Sequence, residues 1–440
     1  MDGNSICNLS KIFGTWNVAT RFLYISSILY FVPILKKCKR DQLSTAPLKS
    51  KGGFYFPTDD DSDFKRETNI KIVYQDSSIE VFKYEEIVGP FYWDVDDLIS
   101  AKEKNSILSK RGGKQSVVVG IPTYGIGNHI YNTLMADKKQ RDILHQLLEI
   151  NAAHKEWDIE LIVNVTPKGK TDTTMDTIRK VQKESLEQFP WIKVTLMIMP
   201  IRGKVNAMNA ISDYAIKKNA TILCFLDDDT LHSPKKALLK NIEMLLSADD
   251  ISIVTSTYCP PQPTNLWEKI RVLRFLLHEN ITVTGRAMIM HAKSYPKIPS
   301  YLNSDDLYIT AYFLDAEHSN PFRRILVNRD ALAISKLAGK NALFGMKAYR
   351  RCLLGIYQLL AVMPNKKRQA MKETIRGDDF FSELKNICMG GNKSYMLFHL
   401  MWTVIRAPFI FDVKLELLIR KCIGVPKKTI IYFRDESTFL

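Results

Sequence analysis

The run Thr221-Ile222-Leu223-Cys224-Phe225-Leu226-Asp227-Asp228-Asp229-Thr230 constrains the fold more than any other part of this chain. An apolar, β-favouring run ends abruptly in three carboxylates. A buried strand that ends this way delivers charge to the carboxyl edge of a sheet covered on both faces, and open α/β sheets bind ligands at that edge. Adjacent carboxylates repel one another, so a cation, hydrogen bonds or water must offset them. In an extended backbone alternate side chains share a face, which puts Asp227 and Asp229 together and Asp228 opposite. Two hard oxygen ligands on one side suit Mg²⁺ or Mn²⁺ shared with a diphosphate. Taken alone, the same three residues also describe a solvated acidic turn.

The flanking pattern decides the fold class. Strands are predicted at 116–120, 158–165, 191–199, 221–229 and 251–258, with a last one at 324–334. Helices are predicted between them at 130–153, 175–188, 203–218 and 234–246, and another at 307–314. Such alternation indicates a doubly wound α/β sheet. Residues 114–345 are therefore read as one α/β domain, preceded by a region of unknown role at 1–113 and followed by a helical, basic region at 346–440. Within the first region, 68–87 alternates as a hairpin around Asp76-Ser77-Ser78, with Ile70, Ile72 and Tyr74 on one face.

The formal net charge of +15 calls for an anionic partner: nucleic acid, anionic lipid or nucleotide phosphates. Seven scattered cysteines form no CxxC and no zinc spacing, as expected of reduced thiols in a cytosolic setting. The apolar runs 22–35 and 395–405 are shorter than the roughly 20 residues a spanning helix needs. Aromatic and basic residues beside them suit helices lying on a membrane, and equally packed soluble helices. Basic groups at 36–40, 347–351 and 366–368 are expected to hold the chain to anionic lipid on the cytosolic face of a membrane.

Four features converge if the sheet reading holds: the turn at Pro122-Thr123-Tyr124, the helix start at Gly203-Lys204, the Asp227/Asp229 tip and the pair Asp305-Asp306. Lys204 at a helix N-terminus suits a phosphate or a ligand carbonyl, or is an ordinary surface lysine. Asp305 and Asp306 at a helix start could be plain caps, or one could accept a proton from an attacking hydroxyl. His291 is a weaker candidate for a downstream metal ligand. Trp191 and Trp267 read as core, and His278-Glu279 matches no zinc motif.

Six short segments occur in an order that resembles the family 2 glycosyltransferases, the inverting group that includes hyaluronan, chitin and cellulose synthases. They are VVVGIPTYG at 117–125, ELIVNVTPKGKTDTTMDTIRK at 160–180, RGKVNAMNAI at 202–211, LDDDTLHSP at 226–234, GRAMIM at 285–290 and NSDDLYIT at 303–310, with RILVNRDALA at 324–333 similar to the strand that follows. The resemblance spans 116 to about 355. It implies a GT-A fold and metal-dependent transfer, with inversion, of a sugar from a nucleotide-diphosphate sugar, UDP-linked by the resemblance, to a polysaccharide or lipid-linked acceptor.

By the same resemblance, Asp227 and Asp229 contact the cation and the diphosphate, with Asp228 between them. Pro122, Thr123, Tyr124 and Lys204 help hold the base and ribose. Asn164 stands near where the family carries a base-contacting aspartate. Asp306 matches the general base, with Asp305 in place of the usual glutamate. Arg350 and Arg351 fall in the region of an arginine motif and could bind pyrophosphate or face lipid, and Cys352 stands where the synthases carry tryptophan. The expected partners are a nucleotide sugar, a carbohydrate or lipid-linked acceptor and an anionic membrane, with no nucleic acid. Two rivals differ in kind. A sugar-phosphate nucleotidyltransferase would carry a basic Gly-rich loop after the first strand, which GIPTYGIGN lacks. A non-catalytic basic binding module would tolerate loss of Asp227, Asp229 and Asp306.

Overall fold

Strict alternation of buried side chains to opposite faces is what shapes this protein. A computed structural model describes residues 65–87, 114–169, 171–248, 250–260, 282–300, 302, 304–335 and 363–374, with single residues within 352–360 and residue 411. Ten strands form one sheet: β1 Lys65–Val73, β2 Ile79–Ile87, β3 Ser116–Tyr124, β4 Asp158–Thr166, β5 Ile192–Ile198, β6 Ile222–Leu226, β7 Leu231–Ser233, β8 Ile253–Cys259, β9 Ala287–His291 and β10 Ile325–Ile334. Their order is β2-β1-β5-β4-β3-β6-β9-β8-β10-β7. In β3, Val117, Val119 and Ile121 enter one core while Val118 enters the other. In β6, Ile222, Cys224 and Leu226 enter the first and Leu223 and Phe225 the second. A sheet that is apolar on both faces must be covered on both. Helices α1 His129–Leu134, α2 Ile143–Ala153, α3 Thr174–Gln188 and α5 Ala237–Ser247 supply residues to one side. Helices α4 Lys204–Lys217 and α6 Asp305–Phe313 supply the other.

The sheet is mixed. Strands β5, β4, β3 and β6 run parallel, β9 is antiparallel to both β6 and β8, and β10 is parallel to β8. Chain order reverses between β3 and β6, and the two strands part there. Their pairing ends at Gly120 and Phe225, whereas β3 stays with β4 as far as Tyr124 and Thr166. Leu226 meanwhile pairs with Ala287 of β9. The sheet thus opens at its switch point, where α/β sheets place their ligands.

Three sequence expectations change. The helix expected at 130–153 is two helices. Asp142 caps the second by accepting from the His145 backbone N–H at 3.2 Å, and Asp137 takes the Arg141 Nε and Nη2 at 2.9 Å each. These local side-chain bonds compete with the helical ladder and break it. The Pro122 turn is strand, because β3 continues to Tyr124. The predicted hairpin exists, and it joins the main sheet through antiparallel pairing of β1 with β5, so the sheet reaches upstream of the boundary expected at 113. The hairpin also braces the site region: Ser300 N–H donates to the Ile87 carbonyl at 2.9 Å, and Asn206 Nδ2 to Glu86 Oε1 at 3.4 Å.

Within the basic group at 366–368, the middle residue faces the interior. Lys367 is buried and its Nζ donates to the carbonyls of Ala311 and Tyr312 at 3.2 and 2.9 Å, at the C-terminal end of α6. Lys366 pairs with Glu317 at 2.5 Å, and Arg368 Nη2 donates to the Met363 carbonyl at 2.7 Å. All three lie on or beside the start of α7, Asn365–Thr374. The Lys367 cation is engaged within the protein, whereas Lys366 and its partner Glu317 are exposed. The groups at 36–40 and 347–351 and the run 22–35 lie outside the described residues, as does 395–405. Among the described residues no helix is long and apolar enough to cross a membrane.

Gly120 marks the closest approach of α4 to the sheet. A Cβ there would stand 2.6 Å from Ile211 Cγ2, inside any tolerated contact. Gly120→Ala is expected to destabilise the protein by about 1–3 kcal/mol through overpacking, read as a lowered urea midpoint with an unchanged m-value.

Candidate active site

The crevice between β3 and β6 is lined by the residues that the sequence singled out, but the carboxylates are arranged differently. Strand β6 ends at Leu226, and Asp227–Thr230 form a turn closed by Thr230 N–H donating to the Asp227 carbonyl at 3.3 Å. Strand alternation therefore does not govern 227–229, and Asp227 and Asp229 do not share a face on that ground. Asp227 Oδ1 lies 2.8 Å from Lys204 Nζ. Asp228 is partly buried near the Thr123 hydroxyl. Burial pushes its pKa up to about 7, the Thr123 hydroxyl opposes this, and the charges of Asp227 and Asp229 add to it. Asp229 is exposed and also raised, first by the protein mass around it and then by Asp227. This is a surplus of negative charge awaiting a counter-ion.

Lys204 is the first residue of α4, and Gly203 before it takes φ 127°, a conformation that favours glycine. The ammonium stands between two acids, 2.8 Å from Asp227 Oδ1 and 3.1 Å from Asp305 Oδ2. Burial would lower its pKa, but the charges of Asp227 and Asp305 outweigh that and raise it. Lys204 is therefore not a lone surface lysine. The backbone of Gly285 presses on the same point: a Cβ there would meet Lys204 Nζ at 3.1 Å and Asp305 Oδ2 at 3.6 Å.

Asp305 and Asp306 open α6 after Ser304. Asp305 is 9% exposed and is committed to Lys204, not to a cap. Asp306 accepts from the Leu307 N–H at 2.8 Å through Oδ1. Burial, and then the Asp305 charge, push its pKa up to about 6, with Lys204 pulling the other way. The loop bearing Gly285 is tied to this helix by Val283 N–H donating to Thr310 Oγ1 at 3.1 Å.

Other candidates fall less centrally. Thr123 is buried at the crevice, and Tyr124 lies at the strand end with the Arg202 guanidinium 5.4 Å from its ring centroid. Pro122 sits inside β3, in register with Asn164 of β4. Asn164 has no exposed surface, and neither of its amide atoms has a partner among the described residues. It lies two positions before the strand end, on the face of β4 that bears Ile162, so a direct base contact does not fit it. His291 pairs with Ile222 at the far end of β6 from Asp227, about 16 Å away at the usual strand rise, which excludes it as a ligand in this crevice. Trp191 packs in the core beside Phe189. Arg350, Arg351, Trp267 and His278-Glu279 lie outside the described residues.

Arg286 is the charged residue that sequence reasoning missed. Strand β9 is antiparallel, so its start, not its end, meets the crevice. Asp227 N–H donates to the Arg286 carbonyl at 3.4 Å. The signal was present in the basic residue heading the apolar run of β9, but its meaning depends on the direction of that strand.

Among the described residues no group of three or more His, Cys, Asp or Glu could hold a metal by itself. The Asp227–Asp229 turn holds three carboxyl groups against the single ammonium of Lys204 and fits the one or two carboxylates by which Mg²⁺ or Mn²⁺ is held jointly with phosphate oxygens.

No family model and no curated protein matches the sequence. Solved structures are similar at low identity. A mycobacterial protein is 14% identical, with 67% of this chain and 84% of that one covered and a TM-score of 0.34. A glucosyl-3-phosphoglycerate synthase from Mycobacterium tuberculosis, in complex with Mn²⁺, uridine-diphosphate-glucose and phosphoglyceric acid, is 15% identical, covering 61% and 86%, with a TM-score of 0.33. A mannosyl-3-phosphoglycerate synthase from Rubrobacter xylanophilus is 9% identical, covering 62% and 83%, with a TM-score of 0.36. Similarity at this level carries no functional conclusion, which must come from the site.

Removing the shared ammonium with Lys204→Met leaves Asp227 and Asp305 facing each other. A loss of about 1–3 kcal/mol is expected by denaturant unfolding for this partly exposed pair. Lys204→Met with Asp227→Asn should recover part of it. Additive losses in the double variant would show that the two residues are not coupled.

Proposed function

We propose that the chain is an inverting, metal-dependent glycosyltransferase of GT-A type that moves a sugar from a nucleotide-diphosphate sugar to an acceptor hydroxyl. The observation that carries the reading is the meeting of Asp227 and Asp305 on Lys204, at 2.8 and 3.1 Å, beside the opening at the sheet's switch point. A surface cluster of caps has no reason to bring residues so distant in sequence onto one ammonium.

Asp227 and Asp229 would hold a divalent cation, Mg²⁺ or Mn²⁺, which would supply positive charge to stabilise the leaving nucleoside diphosphate. Thr123 and Tyr124 line the nucleotide side. Lys204 keeps Asp305 in place and lends positive charge between the two halves of the crevice. Asp306 accepts the proton of the acceptor hydroxyl as that oxygen bonds to the anomeric carbon and the bond to the diphosphate oxygen breaks. One in-line displacement inverts the anomeric centre. The finer terms, UDP as the nucleotide and a polysaccharide or lipid-linked acceptor at a membrane surface, rest on the motif resemblance alone.

Turnover of a panel of UDP- and GDP-sugars with Mn²⁺ tests the reading. One donor should be consumed, and Asp229→Asn should abolish this. Asp306→Asn should cut transfer by about 10²–10⁴-fold, the range expected on loss of a general base. No turnover and no metal-dependent nucleotide binding would leave the non-catalytic module as the better account.

The pH profile is a separate check. Asp306 acts as a base only when ionised, and its pKa is raised to about 6. The kcat/KM should therefore fall with decreasing pH through about 6 and level off above. A profile flat from pH 5 to 8 would remove Asp306 from that role.

A further inference from the structure

Arg286 is not used by the reaction as written, yet it is fixed from several strands at once. Its guanidinium carbon lies 3.8 Å from the centroid of the Tyr258 ring, on β8. Its Nε donates to Ser335 Oγ at 2.5 Å, just beyond β10. The Tyr258 hydroxyl in turn donates to the Ser335 carbonyl at 3.3 Å, and the Arg286 carbonyl accepts from Asp227 N–H at 3.4 Å. A side chain clamped at Nε and over an aromatic ring has lost its usual freedom. Its two terminal nitrogens make no hydrogen bond or ion pair with any described residue. The backbone of the same residue is tied to the turn that carries Asp227, so the clamped guanidinium belongs to the strand edge that borders the crevice. Among the described residues, its Nη1 and Nη2 edge is without a partner.

The remaining Nη1–Nη2 edge, with two parallel N–H donors, matches two oxygens on one phosphorus, a match that lysine, as a point charge, does not reproduce. We propose that Arg286 is a phosphoryl-binding residue of this crevice, pre-set by Tyr258 and Ser335. The proposal rests on the transferase reading for its two sources of phosphate: the diphosphate of the nucleotide sugar, or a phosphate borne by the acceptor. In the first case Arg286 shares the leaving-group charge with the cation at Asp227 and Asp229. In the second it selects phosphorylated acceptors and sets the hydroxyl against Asp306.

Calorimetric titration of the full chain separates these. One arm uses magnesium pyrophosphate; the other uses inorganic phosphate, added with and without saturating UDP and Mn²⁺. Arg286→Gln should weaken binding by about 10-fold or more in one arm, with Arg286→Lys restoring only part, as expected when a bidentate charge-assisted contact is lost. The arm affected names the source. Ser335→Ala keeps the charge but frees the fork, and should cost a few-fold in the same arm. Equal affinity of wild type and Arg286→Gln in both arms overturns the proposal. If the Gln variant does not fold, unchanged affinity in Ser335→Ala overturns it. Acetate binding as tightly as phosphate through Arg286 also overturns it. The probes contain no sugar, so failure of every donor in the turnover assay would sink the transferase reading and leave this one to stand or fall separately.

Discussion

The ammonium of Lys204 joins two regions that the chain delivers from opposite directions, the turn after β6 and the first turn of α6. Without it Asp227 and Asp305 would repel across the crevice, and the Asp305 carboxylate, 9% exposed, would have no counter-charge. Much of the surrounding architecture secures this one contact. Gly203 turns the chain so that α4 begins there, Gly120 lets α4 press on β3, and Gly285 leaves room for the lysine's tip. The hairpin β1–β2, far earlier in the chain, buttresses both sides through Glu86 and Ile87.

The electrostatics of the crevice follow from its mixed composition. Asp228 and Asp306 are pushed toward neutral-pH titration by burial and by neighbouring acids, while Lys204 is pushed the other way by the same acids. Burial raises the proton affinity of the acids, and the same acids raise that of the lysine, so carboxyl and ammonium groups coexist protonated nearer neutrality than isolated carboxyls would be. The tuning comes from placing the acids at the ends of apolar elements, where solvent is scarce on one side and open on the other.

Much of this was legible in the residues. The strand–helix alternation from Ser116 onward, the carboxylates capping β6 and the acids opening α6 all stand within a few positions of where pattern reading put them. What escaped it depended on partners distant in sequence. The 68–87 alternation showed strands but not that β1 would pair with β5. The apolar spacing from Ile130 to Ile150 continues across a break that the Asp137 and Asp142 side chains impose. Arg286 went unread because its place at the crevice follows from the antiparallel direction of β9. Charge runs were the poorest guide, because a lysine's sign does not reveal whether it faces solvent or, like Lys367, the interior.

That last lysine bears on where the molecule ends as a working unit. Helix α6 carries two acids at its amino end, where the backbone dipole is positive, and Lys367 at its carboxyl end, where the dipole is negative. Both poles of the helix are thus matched, over a length of about 13 Å. A chain cut after the last strand would leave the Ala311 and Tyr312 carbonyls without Lys367 and strip Met363, Ala370 and Met371 from the core that α6 shares. Residues 363–371 thus act as a counterweight, holding from behind the helix that presents Asp305 and Asp306.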